Sequence, residues 1–119
     1  MKNQVEELDI YKRYTDLYYY TYLITVKYPK YEKNGLVADI KHSTYLGFLN
    51  IILAHKNYNK VERLKYLNQL DVQLKVLKML IRISYKRKFI NVHNYEAWSR
   101  KITNVSNLMG GWIRSCLKQ

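Results

Sequence analysis

Apolar residues recur at alternating steps of three and four along the last quarter of the chain, and this spacing constrains the fold most strongly. The series runs without a break through Tyr95, Trp98, Ile102, Val105, Met109, Trp112 and Cys116. An α-helix brings such positions onto one face, whereas a half-buried strand would need alternation at every second residue. A second series with the same steps comprises Leu67, Leu70, Leu74, Leu77 and Ile81. The chain therefore contains at least two long amphipathic helices.

Sparse loop signals divide the chain into four segments of helix length. Only four Gly and one Pro occur in 119 residues, and polar stretches at 27–35, 54–60 and 86–91 are typical of loops. The segments between them are 4–28, 36–56, 60–86 and 92–117. Asn91 is suited to cap the last of these helices. Long helices with short connections favour an all-α fold, an antiparallel up-down-up-down four-helix bundle forming one domain over residues 1–119.

The inward faces of the first two helices are less regular than those of the last two. On the first helix we expect the buried positions to be Leu8, Tyr11, Thr15, Tyr18 and Tyr22. On the second we expect Ile40, Tyr45, Leu49 and Ile52. Thirteen residues of the chain are tyrosines. Tyr can stack on splayed nucleic-acid bases, but it more often fills a core or an interface, so we expect packing.

The third helix carries a second apolar row, nearly opposite the first. Its members are Val72, Val76, Met79 and Ile83. A helix that is apolar on two sides has to bury both, and the bundle core accounts for only one. We therefore predict that this second row is an interface between subunits. The alternative is that a tilted first helix or a long loop covers it.

Positive charge is concentrated in the second half of the chain. The formal net charge is +12, and residues 61–119 hold twelve basic side chains against three acidic ones. Such an uneven basic composition is typical of proteins that bind a polyanion, most commonly nucleic acid. The alternative is a charge that serves solubility alone.

We predict that three groups of cations bind nucleic acid. Lys75, Lys78 and Arg82 share a helical face, where Asp71 offers Lys75 an ion pair. Lys86, Arg87 and Lys88 continue the charge into the next loop, and the last helix adds Arg100, Lys101 and Arg114.

Residues that would support catalysis or metal binding are not grouped in the sequence. His42, His55 and His93 are widely separated in the sequence, and Cys116 is the one cysteine, most simply a small core residue. We expect no enzyme, no cofactor and no metal. No stretch approaches the roughly 18 apolar residues of a membrane span, and the N-terminal sequence has no apolar signal core, so we expect a cytoplasmic protein. Gly110 and Gly111 interrupt the last helix, either for close helix packing or as a weak end.

Two segments resemble the accessory variability determinant (Avd) family of diversity-generating retroelements. They are LKVLKMLIRIS at 74–84 and FINVHNYEAWSRKITNVSNLMGGWIRS at 89–115. The matching positions are Leu77, Lys78, Arg82 and the run LMGGWI at 108–113. The stretch KYPKYEKNGLVADIKHS at 27–43 is also similar to four-helix proteins encoded in 23S rRNA intervening sequences. Those proteins continue with a segment like IPSNIAEG where this chain has TYLGFLNIILA, which favours the Avd side.

The resemblance implies a function that composition could not supply. It implies a ring-forming, pentameric four-helix bundle that binds a reverse transcriptase and its template RNA. Such proteins assist error-prone cDNA synthesis without being enzymes themselves. We therefore expect a nucleic-acid-binding accessory protein, with RNA, DNA or a hybrid as its ligand. The alternative function is a structural or protein-interaction oligomer of the intervening-sequence type.

Overall fold

A computed structural model describes residues 4–119, so the first three residues of the expected domain lie outside the described residues. The four α-helices are α1 (Asp9–Thr25), α2 (Leu36–Lys56), α3 (Lys60–Lys86) and α4 (Val92–Leu117). Short 3-10 helices at Val5–Glu7 and Lys30–Glu32 precede α1 and α2. The all-α class is confirmed, and α2, α3 and α4 begin and end where the sequence predicts. The first helix is shorter than its predicted segment, since it starts at Asp9 and ends at Thr25.

Each helix runs antiparallel to the next, and α4 closes the bundle against α1. The Tyr14 hydroxyl of α1 donates to the Thr44 carbonyl of α2 at 2.6 Å. The start of α3 lies beside the end of α4, where the Lys60 ammonium donates to the Leu117 carbonyl at 3.4 Å. The Trp98 indole of α4 donates to the Thr21 hydroxyl of α1 at 3.0 Å. The result is an elongated bundle of 46 × 24 × 24 Å.

Side chains cap the N-termini of the two longest helices. The Asn91 carboxamide accepts a hydrogen bond from the Asn94 amide at 2.8 Å, as the sequence predicts. Asn59 accepts from the Glu62 amide in the same way at 3.1 Å. Each cap satisfies one amide that would otherwise lack a partner in the first turn of its helix.

The predicted inward faces of α3 and α4 are correct. Leu67, Leu70, Leu74, Leu77 and Ile81 are all buried. On α4 the members Trp98, Ile102, Val105, Met109 and Cys116 are buried, while Tyr95 and Trp112 are half-buried at the edge of the core. The expectation that Cys116 is a core residue is therefore confirmed.

The predicted inward faces of α1 and α2 are correct only in part, since Leu8 and Tyr18 pack half-buried against the core. On α1 the buried residues are Ile10, Tyr14, Leu17, Thr21, Ile24 and Thr25, and Tyr22 is exposed. On α2 Ile40 is buried as predicted, but Tyr45 is exposed and small or polar residues such as Ser43, Thr44, Gly47 and Asn50 face inward. The hydroxyls of Thr21 and Thr44 donate to carbonyls one turn earlier in their own helices, so these residues can be buried without an unsatisfied polar group.

Gly47 is the glycine at which two helices approach most closely. A side chain there would collide with the Tyr14 hydroxyl and ring. Burial raises the pKa of the Tyr14 phenol far above its usual range, so the group stays neutral and keeps its hydrogen bond to α2. Gly110 and Gly111 are different. A Cβ on Gly110 would approach only the flexible Arg114 guanidinium, at 3.3 Å. Of the two alternatives for Gly110 and Gly111, close helix packing therefore does not apply within the described bundle.

The second apolar row of α3 lies outside the core. Val72, Val76, Met79 and Ile83 are between 37% and 55% exposed. Neither α1 nor a loop covers them, so the intramolecular explanation of this row does not hold. The row borders α2, where Val72 lines a shallow groove with Leu49 and Leu53. Within residues 4–119, no helix is long and apolar enough to cross a membrane.

Candidate nucleic-acid interface

The cations predicted on α3 form an exposed row. Lys75, Lys78 and Arg82 are all exposed, and the Lys75 ammonium lies 2.6 Å from the Asp71 carboxylate, as the spacing predicts. Such an exposed ion pair contributes only about 0.3–0.5 kcal/mol. It therefore competes weakly with a phosphate group for Lys75.

The last residue of α3 and the loop after it present three more exposed cations on a fixed backbone. Lys88 has a left-handed conformation, with φ of 64°. The amides of Lys88 and Phe89 donate to the carbonyls of Tyr85 and Ser84 at 2.9 and 3.0 Å, which is the hydrogen-bond pattern of a Schellman motif. The Arg87 guanidinium lies over the Phe89 ring, with 5.6 Å between its central carbon and the ring centroid. Lys86, Arg87 and Lys88 are thus held at the tip of the bundle.

A second basic loop lies beside the first, and the sequence analysis missed it. The Phe89 ring is 5.4 Å from the Tyr28 ring and 6.3 Å from the Tyr31 ring, centroid to centroid. These contacts join the loop after α3 to the loop between α1 and α2. Two loops of one bundle end meet here because alternate connections of an up-down bundle emerge on the same side. Applied to the predicted four-helix topology, this rule would have indicated that the loop between α1 and α2 lies beside the loop after α3.

These two loops and the last residue of α3 together carry six exposed cations, which we call the basic tip. They are Lys27, Lys30, Lys33, Lys86, Arg87 and Lys88. The nearby Glu32 carboxylate accepts a hydrogen bond from the Leu36 amide at 3.1 Å, so it serves the N-terminus of α2. The first turn of α4, at the same end, has no acidic residue, and its unneutralised helix dipole adds to the positive potential.

The predicted cations of α4 occupy three different environments. Arg100 is exposed. Lys101 is half-buried, and its ammonium lies over the Tyr20 ring at 5.3 Å. Arg114 is exposed beside Gly110 and Gly111, about 33 Å along α4 from its first residue. The structure therefore brings Lys86, Arg87 and Lys88 together with cations of another loop, but it separates Arg114 from them.

The chemistry available at the basic tip is anion binding. Aromatic rings support its base, and burial raises the pKa of the Tyr28 hydroxyl to about 12, so Tyr28 brings no negative charge there. Within the described range 4–119, no three His, Cys, Asp or Glu side chains lie where they could hold one metal ion. Exposed Lys and Arg on a fixed surface suit phosphate oxygens, whose neutralisation releases counterions.

Comparison with known protein families places this chain beside one whose model covers most of it. A family model described as bAvd-like matches residues 8–116. The match covers α1, α2 and α3 completely and all but the last residue of α4. No curated protein matches the chain. The resemblance found from the segments at 74–84 and 89–115 is confirmed.

Proposed function

Because the chain belongs to the bAvd-like family, we propose that it is a nucleic-acid-binding accessory protein of a diversity-generating retroelement. Family membership supports the accessory role in general. The observation that carries nucleic-acid binding is the basic tip, where six exposed cations lie together at one end of the bundle. The exposed row of Lys75, Lys78 and Arg82 extends this surface along α3.

The proposed mechanism is binding rather than catalysis. Lys and Arg contacts to phosphates fix the position of a nucleic acid but do not read its bases. A protein of this kind would hold template RNA, cDNA or their hybrid near a reverse transcriptase while mutagenic cDNA synthesis proceeds. Its binding would therefore be largely independent of sequence and strongly dependent on salt.

We also propose that the protein acts as a homo-oligomer, with the pentamer implied by the family resemblance as the expected state. The support is the exposed apolar row of α3 with its neighbours Leu49 and Leu53 on α2. In a ring, every subunit would contribute its own cations, and modest contacts would add through multivalency. The same exposed row supports the second candidate function, a structural or protein-interaction oligomer.

Genomic context separates these two functions. A reverse-transcriptase gene and a pair of template and variable repeats beside the gene for this protein would support the retroelement role. A location inside a 23S rRNA gene, without a reverse transcriptase, would support the structural role.

The binding experiment compares three variants, each of which loses three positive charges. One changes Lys75, Lys78 and Arg82 to Gln, and the second changes Lys86, Arg87 and Lys88 to Gln. The control changes Lys12, Lys65 and Lys118 to Gln, which are exposed cations toward the opposite end of the bundle and outside every proposed binding surface. Fluorescence anisotropy would measure affinity for structured RNA, single-stranded DNA and a hybrid over a range of salt concentrations.

We expect the first two variants to bind nucleic acid of every sequence more weakly than the wild type does. The affinity of the control variant should change least. The log–log salt slope should be about −0.7 for each single-strand phosphate neutralised, so losing three contacts should flatten it by about 2. Helical circular dichroism should be unchanged, since all the altered side chains are exposed. Wild-type protein that binds no nucleic acid at low salt would contradict the proposed function. An equal loss of affinity in all three variants would contradict the proposed location of the nucleic-acid-binding surface.

A further inference from the structure

A groove between α1 and α2 is lined almost entirely by aromatic rings. Five tyrosines and one phenylalanine form it, together with Thr15, in a volume of about 550 Å³: Tyr11, Tyr18, Tyr19, Tyr22, Tyr45 and Phe48. Neither the apolar row of α3 nor the basic tip includes any of these residues. The groove therefore needs an explanation of its own.

The groove has a packed floor and a free rim. Phe48 forms the floor, with its ring centroid 5.2 Å from that of Tyr11 and 5.9 Å from that of Tyr18. The rim consists of Tyr19, Tyr22 and Tyr45, which are 53–64% exposed. In the part of the chain that the structure describes, these three rings stack on no other ring, and their hydroxyls form no hydrogen bond with the protein. Packing within the subunit does not account for them.

The charges around the groove are positive. On α2 the residues Lys41, Tyr45, Phe48, Ile52 and Lys56 follow one another at steps of four, three, four and four, which places them on one face. Lys41 and Lys56 are both exposed. The two carboxylates of α1, Asp9 and Asp16, lie instead in a separate hollow next to Leu108 of α4. An anionic ligand would thus meet aromatic faces between cations, without a facing carboxylate.

The groove also leads toward the basic tip. Tyr22 lies in the last turn of α1, which ends at Thr25, and Lys27 and Lys30 follow in the adjoining loop. From Tyr11 to Tyr22 the helix rises about 16 Å, which is room for a few nucleotides. A strand whose phosphates contact the basic tip could therefore continue along the rim.

We propose that this groove binds unpaired bases of single-stranded nucleic acid, with Tyr19, Tyr22 and Tyr45 stacking on bases and Lys41 and Lys56 contacting phosphates. Stacking on an aromatic ring requires an accessible base face, which a duplex does not offer along its length. The positive flanks favour a nucleic acid over an apolar protein segment, for which they provide no partner. This proposal rests on the proposed nucleic-acid function and adds to it a preference for unpaired strands.

The experiment separates ring stacking from apolar contact by two matched variants. One changes Tyr19, Tyr22 and Tyr45 to Phe, which keeps the ring faces, and the other changes the same residues to Leu, which keeps only apolar bulk. Anisotropy would measure the affinity of each for a short unpaired strand and for a duplex of equal length. We expect the Leu variant to bind the unpaired strand at least about tenfold more weakly, because each stacked base contributes roughly 1–3 kcal/mol. The Phe variant should bind nearly as wild type, and duplex binding should not change in either.

A second measurement uses the wild-type protein with an abasic strand of the same length. That strand retains the phosphates and lacks the bases, so we expect it to bind as weakly as the unpaired strand binds the Leu variant. An abasic strand that binds as tightly as the normal strand would overturn the proposal, whether or not the variants fold. A Leu variant that binds like wild type would also overturn it and would favour a protein segment as the occupant. In both cases the basic tip would still bind phosphate, so the proposed function would stand.

Discussion

Gly47 and Tyr14 show how single residues set the distance between α1 and α2. The Tyr14 hydroxyl occupies the space that a side chain at position 47 would need, and it donates to the Thr44 carbonyl at 2.6 Å. Small and polar residues on the inner face of α2 thus allow a buried tyrosine to cross the interface. An aliphatic residue in their place would push the two helices apart.

At the residue scale we predict opposite effects of the same substitution at two glycines. Gly47→Ala should lower the free energy of unfolding by about 1–3 kcal/mol, because the added methyl group overpacks a closed interface. Gly111→Ala should raise it by about 0.5–1 kcal/mol, because its Cβ would meet only the Arg114 guanidinium at 3.8 Å and alanine favours a helix. Urea unfolding followed by circular dichroism would measure both. A Gly47→Ala protein as stable as wild type would contradict the described packing of α1 on α2.

At the scale of elements, the helices were easier to predict than the directions in which two of them face. The bounds of α2, α3 and α4 follow from loop signals and caps such as Asn91, and the faces of α3 and α4 follow from aliphatic spacing. The buried faces of α1 and α2 could be predicted only in part from apolar spacing, because hydropathy alone does not distinguish a tyrosine on the rim of the groove from one in the core. Nor does it identify as buried the threonines whose hydroxyls bond to their own helix.

Only the part of the candidate site that is local in sequence could be predicted. The row on α3 is local in sequence and visible as a spacing, whereas the basic tip combines two loops that lie more than fifty residues apart. Only the topology brings Lys27, Lys30 and Lys33 beside Lys86 and Lys88. Charge counted along the chain could not reveal that neighbourhood.

The turn between α3 and α4 yields a prediction that links stability to binding. Lys88→Gly should raise the free energy of unfolding by about 1 kcal/mol, because glycine adopts the left-handed conformation without the steric cost to a lysine. It should also weaken nucleic-acid binding by removing one cation of the basic tip. Lys88→Ala is the control, since it removes the same charge and retains the strain. Equal stability of the two variants would show that the backbone at position 88 costs nothing.

At the scale of the whole molecule, the proposed assembly depends on the apolar row of α3. Changing Val76 and Ile83 together to Asp should give smaller species in light scattering, because a charge buried between subunits is strongly unfavourable. Helical circular dichroism should be kept, since both side chains are partly exposed in the single bundle. The control changes Val26 and Val92 to Asp, two exposed valines outside the row, and should leave the assembly intact. Wild-type protein that is monomeric at micromolar concentration would contradict the interface.

The position of the basic tip gives this rod-shaped molecule an electrical polarity. At the opposite end Glu6, Glu7 and Asp9 offset part of the positive charge of cations such as Lys12 and Lys118. The positive charge is therefore unevenly distributed along the 46 Å axis. At low ionic strength a polyanion would therefore exert a torque on the free subunit and turn it end-on before the surfaces touch. At 0.1 M salt the Debye length of about 10 Å is much shorter than the rod, and the two ends then act as independent charges. Orientation before contact would thus be lost with added salt, and the molecule would have to find its docking pose by random tumbling.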